Sequence, residues 1–237
     1  MLSNENKEAN HGSDEENWDA VLRHFKTKAD LSQLGTYYSY MVNADIKHLS
    51  FTLSRYKFAS KLLMYKEHTN LLEMGCQEAL GALLFQQNIN LDRYVGIDLD
   101  AEAIKWNKEY LPKDFEFICA NFFECTKLGE EEFDAVVSLD VIEHIAPEKE
   151  EQYCEIICKN LKQDGVAIVG TPNIAFSPYA SEGSKIGHIN LYDQKRLYKL
   201  MNRYFHNVFI FNMNDEVVHT GFAPMSCYIF AVGCNKK

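Results

Sequence analysis

Residues 70–100, NLLEMGCQEALGALLFQQNINLDRYVGIDLD, decide the fold. Leu71–Met74 is a short apolar run with one acid, Glu73, near its C-terminal end. Gly75 follows, where a strand must turn sharply, and Ala79–Gln87 carries its apolar residues at helical spacing. Arg93–Leu99 is the next strand, apolar up to Asp98. Strand, glycine turn, helix and strand make half of a doubly wound α/β unit, whose ligand crevice lies beyond the C-terminal strand ends. Asp98 stands 23 residues after Gly75, about where such folds place a carboxylate that accepts from ribose hydroxyls.

The turn separates two kinds of ligand. The dinucleotide fingerprint is G-x-G-x-x-G, whereas this turn reads Gly75-Cys76-Gln77-Glu78-Ala79-Leu80-Gly81. It lacks the second glycine, which lets the backbone approach a pyrophosphate, and the acid before it would repel one. An acid suits a cationic ligand, and S-adenosylmethionine (SAM) has a sulfonium, an ammonium, a ribose diol and no phosphate. At LLEMGC and YVGIDLD the chain resembles the class I SAM-dependent methyltransferases, in their first motif and their ribose motif. The resemblance covers residues 50–235 and implies SAM as cofactor, with Glu73, Gly75, Gln77, Asp98 and Leu99 in its site. The family pattern is usually G-x-G-x-G, and Gln77 puts a side chain where the backbone nears the ligand and removes easy access to φ > 0.

Length and composition agree with one α/β domain and an N-terminal extension: 237 residues, 46% of them apolar. A net charge of −10 argues against nucleic-acid backbones and anionic membranes as main partners. There is no apolar run of membrane-spanning length and no signal-peptide core, and the seven cysteines are scattered without C-x-x-C pairs. These features predict a cytoplasmic protein with reduced cysteines.

Three segments are expected. Residues 1–16 form a disordered acidic tail, residues 17–66 a helical N-terminal cap, and residues 67–237 the SAM-dependent methyltransferase domain. Within the cap, Asn17–Lys28 and Ile46–Tyr65 read as helices, and the aromatic stretch Leu31–Asn43 reads as packing over the core or as a lid. Ala101–Tyr110 is a helix entered from the N-cap Asp100. Phe115–Ala120 and Phe133–Leu139 are the third and fourth strands, Glu148–Leu161 a helix, and Val166–Gly170 the fifth strand after an Asp164-Gly165 turn. Asp193–Tyr204 is a further helix. Asn207–Asn212 and Cys227–Val232 have no helix-length pattern between them and form an antiparallel pair. The result is an α/β fold with a doubly wound seven-stranded sheet, mostly parallel with an antiparallel last strand, the methyltransferase variation on the Rossmann-like plan.

The resemblance carries further residues into the cofactor site. Arg55, in SRYKF, would meet the SAM carboxylate; Asn121 and Phe122 would meet the adenine; Asp140 would face the crevice from the end of the fourth strand. Methyl transfer is largely positioning, and an oxygen nucleophile also gains from a general base, for which His is suited near neutral pH. His188 is the leading candidate, His219 the second and His144 the third. The long loop from Thr171 to His188, with Asn173 and then Asn190, and the segment Asn214, Asp215 and Glu216 are the expected acceptor contacts. Asp215 and Glu216 with His188 and His219 match no definite metal spacing, and no metal is expected. RYKF, DVIEHI, GTPN, GHIN and NDEVVHTGF resemble methyltransferases encoded with bacterial surface-polysaccharide biosynthesis. That implies a small-molecule oxygen acceptor, less readily nitrogen, such as a sugar nucleotide or another phosphate-bearing capsular precursor. The alternatives are a non-catalytic SAM-binding regulatory or partner module and an NAD(P)-dependent reductase.

Overall fold

The computed structural model describes residues 33–125, 127–129 and 132–237, together with Trp18, Val21 and Arg23. The chain divides into Met1–Leu34 and Gly35–Lys237. In the first unit Trp18, Val21 and Arg23 are helical and exposed; the tail over residues 1–16 and the rest of the helix expected at Asn17–Lys28 lie outside the described residues.

The second unit runs α1 (Thr36–Ala44), α2 (Ile46–Leu63), β1 (Thr69–Met74), α3 (Ala82–Asn88), β2 (Leu91–Asp98), α4 (Ala101–Tyr110), β3 (Glu116–Cys119) and β4 (Phe133–Leu139). It continues through α5 (Glu150–Asn160), β5 (Leu161–Pro172), α6 (Glu182–Gly187), α7 (Gln194–Met201), β6 (Phe205–Asn214), β7 (Val217–His219) and β8 (Tyr228–Lys236). The sheet order is β3-β2-β1-β4-β5-β8-β6-β7. The first five strands pair in parallel, and β8 runs antiparallel to both β5 and β6.

Alternation along each central strand feeds two cores, which is why these strands read as unbroken apolar runs. Leu72, Met74, Val95, Ile97 and Val136 pack with Tyr153, Ile156 and Ile157 of α5 and Leu197 and Leu200 of α7. Leu71, Tyr94, Ala135 and Val137 pack with Tyr56, Ala59 and Leu63 of α2 and Ala82 and Phe85 of α3. Carboxylates fix the helix entries: Asp45 accepts from His48 N, Asp100 from Glu102 N and Ala103 N, and Asp193 from Arg196 N.

Three expectations need correction. The sheet has eight strands, not seven, because Val217–His219 turns back against β6 as a short edge strand. Asp164-Gly165 lies inside β5: the register steps from Phe133↔Leu161 to Ala135↔Val166, so four residues of β5 stand against Asp134 alone and the pairing is interrupted there. The helix expected from Ala79 begins at Ala82, because the glycine turn extends through Gly81.

Candidate active site

A cleft of about 900 Å³ opens beyond the C-terminal ends of β1, β4 and β5, where the topology of such a sheet puts its ligand. Gly75, Cys76, Gln77, Leu139 and Asp140 line one part of it. Tyr37, His48, Arg55, His144, Ser177 and His188 are among the residues on its other walls.

The turn after β1 is held from three directions. Gly75 N and Cys76 N donate to Ile97 O at 2.8 and 3.1 Å. Gln77 N donates to Asp98 Oδ2 at 2.8 Å. Asn107, fully buried in α4, accepts from Ala79 N at 3.0 Å and donates to Gln77 O at 2.6 Å. Gly75 has φ +77 and Gln77 φ +45. Asp140 and Asp215, which also line the cleft, share positive φ at +57 and +49. Such conformations cost energy and cluster at ligand sites. Glu78 ties the turn to the cap: its carboxylate accepts from Tyr37 N and Tyr38 N at the start of α1.

Arg55 is buried and donates to Asp140 Oδ2 at 2.7 Å, with its guanidinium 4.0 Å from the centre of the Tyr228 ring. Burial opposes its charge, but Asp140 and Tyr228 outweigh that and the net pKa shift is upward. Its Nε is buried without a hydrogen-bond partner.

The expected cofactor residues separate into two groups. Arg55, Gly75, Gln77 and Asp140 line the cleft. Asp98 lies at the end of β2, and its two oxygens accept from Gln77 N and Asp100 N, which leaves lone pairs for ribose hydroxyls. Leu99 beside it is exposed. Glu73 faces away from the cleft: it is fully buried, and Tyr56 and Tyr94 each donate a hydroxyl to it. Burial raises its pKa to about 7, against the pull of the two hydroxyls. Phe122 is packed in the core near Tyr153, and Asn121 accepts from Phe123 N and donates to Glu124.

His144 and His188 meet edge to face, ring centroids 5.0 Å apart, on the cleft wall. Burial, then His144, lowers the pKa of His188, which favours its neutral imidazole. His144 Nδ1 is 2.9 Å from Gly187 O. His219 does not line the cleft: Gly221 N donates to its Nδ1 and its Nε2 bonds Asn214 Oδ1, so both ring nitrogens are occupied locally. Thr171 donates to Glu143 Oε2 at 2.9 Å. Asn173 lines the cleft, but its amide nitrogen goes to Ala223 O, Ser226 O and Ser226 Oγ. Asn190 donates to Tyr192, Asn214 to Met225 O, and Glu216 accepts from Ser50. Of the Asn214–Glu216 segment only Asp215 reaches the cleft lining. Sequence reading missed the structural parts played by Asn107, Glu78 and Glu143; the one signal was polar residues at core-facing positions of otherwise apolar elements.

Residues 72–169 match the family model described as a methyltransferase domain. No curated protein sequence matches the chain. Among solved structures, the fold is similar to the N-methyltransferase NodS of Bradyrhizobium japonicum WM9 in complex with S-adenosyl-L-homocysteine, at 14% identity and TM-score 0.59, over 92% of this chain and 97% of that one. It is also similar to a SAM-dependent methyltransferase from Thermotoga maritima, described as a possible histamine N-methyltransferase, at 14% identity and TM-score 0.61, over 84% and 94%. A third is the methyltransferase domain of bacterial CtHen1-C, at 14% identity and TM-score 0.62, over 78% and 98%. Residues 72–169 carry a methyltransferase domain, and that domain, on a fold shared with these enzymes, indicates a methyltransferase with SAM as cofactor.

The residues present fit that cofactor. A Cβ on Gly75 would stand 2.2 Å from Val141 Cγ2, so the turn is a cradle only glycine can make. The orphaned Nε of Arg55 is a donor for a carboxylate. Because Gln77 already holds a glycine-like φ, Gln77→Gly is expected to leave SAM affinity within about tenfold, or 1.4 kcal/mol, in titration calorimetry. A much larger gain would mean that the Gln77 side chain blocks the site.

Proposed function

We propose that the enzyme methylates an oxygen of a small, phosphate-bearing acceptor, such as a nucleotide-activated sugar used in a bacterial surface polysaccharide. One observation carries the reading: the cleft joins the Gly75–Gln77 turn and Asp140 to a wall bearing His144, His188, Ser177, Ser181 and Ser184. Lys47, His48 and Lys185 also line it and suit a phosphate group. The cofactor supplies the methyl as an electrophile on its sulfonium. Arg55 and Asp98 would hold the carboxylate and ribose ends, and Asn121 with Leu99 the adenine. Transfer to an acceptor hydroxyl would release the demethylated cofactor and the hydroxyl proton. His188, largely neutral, is placed to accept that proton.

The domain limits follow the sequence reading: tail 1–16, cap 17–66 and methyltransferase domain 67–237. A cytoplasmic setting is supported by seven unpaired cysteines, and among the described residues no helix is long and apolar enough to cross a membrane. Neither nucleic acid nor a membrane is proposed as partner, in line with the charge of −10. A nitrogen acceptor is the second reading: Asp45 and Asp215 line the same cleft and would hold a cationic amine.

The test incubates the enzyme with SAM and separate panels of nucleoside-diphosphate sugars and amines, reading products by mass spectrometry. A sugar gaining one methylene mass is the expected result, and methylation confined to the amines overturns the oxygen assignment. With the acceptor in hand, His188→Ala should lower turnover by about 10²–10⁴-fold while SAM affinity is unchanged.

A further inference from the structure

We propose that Glu143, His144 and His188 form a binding site for one divalent transition-metal ion at the acceptor end of the cleft. One ligand atom from each of the three lies within 4.8 Å of the others. Bonds of about 2.0–2.2 Å hold ligand atoms at most about 4.4 Å apart, so the set closes on an ion with small side-chain rotations. A carboxylate with two imidazoles, leaving further positions open, is a donor set for Mn²⁺, Fe²⁺, Co²⁺ or Zn²⁺.

The surroundings point the same way. Glu143 is fully buried, and its Oε1 has no hydrogen-bond partner. A bare buried carboxylate oxygen calls for an explanation, and a bound ion is one. The other oxygen, Oε2, accepts from Thr171 Oγ1 at 2.9 Å, which fixes the plane of the carboxylate. His144 is oriented by the contact of Nδ1 with Gly187 O at 2.9 Å. With Nδ1 as the donor, Nε2 keeps its lone pair, the arrangement that outer-shell carbonyls give to metal-binding histidines. Gly187 leaves room for that approach: a Cβ there would stand 3.0 Å from His144 Cε1, a tight contact. The backbone joins the pieces, since Ile189 N and Asn190 N donate to Glu143 O at 2.9 and 3.0 Å and pin the His188 segment beside the acid. The ligands come from the turn after β4 and from the end of α6, 44 residues apart, a separation that hides the set from a spacing rule.

The inference rests on the proposed function for its chemistry and not for its existence. An ion here would take the acceptor hydroxyl at an open position and lower its pKa, so that deprotonation would not need a histidine base. His188 would then act as ligand in place of base.

The test reads binding without SAM or acceptor. Chelator-treated protein is titrated with Mn²⁺, following loss of the free-ion paramagnetic resonance signal, and with Co²⁺, following its visible absorption. One ion per chain is expected, with His144→Ala and His188→Ala each weakening binding more than a hundredfold. Both side chains lie at the cleft wall, so circular dichroism should find the variants folded. Thr171→Val, which removes only the hydrogen bond orienting Glu143, should weaken binding by about 10–100-fold. Binding that survives in both histidine variants, or no binding of either ion at millimolar concentration, overturns the site. Full methyl transfer to a sugar in the presence of chelator overturns the ion's part in the reaction while sparing the oxygen acceptor. Metal bound at one equivalent with only amines methylated would keep the site and overturn the acceptor.

Discussion

Gly75→Ala is expected to abolish measurable SAM binding and to lower the free energy of unfolding by about 3 kcal/mol. Two effects add. At φ +77 a residue with a Cβ is disfavoured by about 1–2 kcal/mol. That Cβ would also stand 2.2 Å from Val141 Cγ2, a separation no real contact shows. Val141 is β-branched and has few rotamers to retreat into, and forcing a methyl into packed space typically costs about 1–3 kcal/mol. The turn has to move, and it moves with its ligand groups: Gly75 and Cys76 are tied to Ile97 O, and Gln77 to Asp98. Titration calorimetry and denaturant unfolding measure the two consequences. Val141→Ala in the same chain removes the near atom and leaves its Cβ at an ordinary 3.4 Å. The double variant should therefore regain the packing share and not the φ share, so that the two substitutions couple by about 1–3 kcal/mol. Equal stability of wild type and Gly75→Ala would mean that the turn relaxes freely and is no cradle.

The sheet was legible wherever a strand is buried on both faces. Phe133–Leu139 has the bounds its apolar run suggests, and β1 and β2 lie within two residues of expectation. The reversed pair β6 and β8 also follows from the missing helix between them. Legibility failed where local signals are weak or remote partners decide. Strand β7 is three residues long and half-exposed, and its turn passes through Asp215 at φ +49 with no glycine to announce it. The start of α3 is delayed because the turn runs on through Gly81, with Asn107 of α4 holding it at the Ala79 amide. The site divides in the same way. Gly75, Gln77 and Asp140 could be placed from strand ends alone. His219 could not be excluded without seeing that Asn214 and Gly221 occupy both its nitrogens. Glu143 reads in sequence as one acid in DVIEHI, and only tertiary structure shows it buried against Thr171 and Gly187's neighbour His188.

Glu73 shows how an acid chosen for a cofactor role can serve the core. Its carboxylate is fully buried between α2 and β2, bridged by Tyr56 and Tyr94, each donating at 2.5 Å. Truncation removes the shared acceptor and leaves two buried hydroxyls without a partner, each worth about 1–3 kcal/mol. Glu73→Ala is therefore expected to lose about 3–5 kcal/mol of stability. The pH dependence is a second readout. Burial lifts the folded-state pKa from 4.5 to about 7. Between those values the folded chain holds the proton more tightly than the unfolded chain, so stability falls as pH rises. The contribution is complete below about pH 4.5 and lost above about pH 7, a change of about 3 kcal/mol at 1.36 kcal/mol per pKa unit. Glu73→Gln keeps the shape and has no proton to lose, and its amide can accept from one tyrosine and donate to the other. It should flatten the part of the stability profile between pH 4.5 and 7 that Glu73 causes, and match or exceed wild type at pH 8. Denaturant unfolding of wild type and variant across that range measures both slopes. Parallel profiles would show that Glu73 is already ionised at pH 5, its charge carried by the two tyrosine hydroxyls.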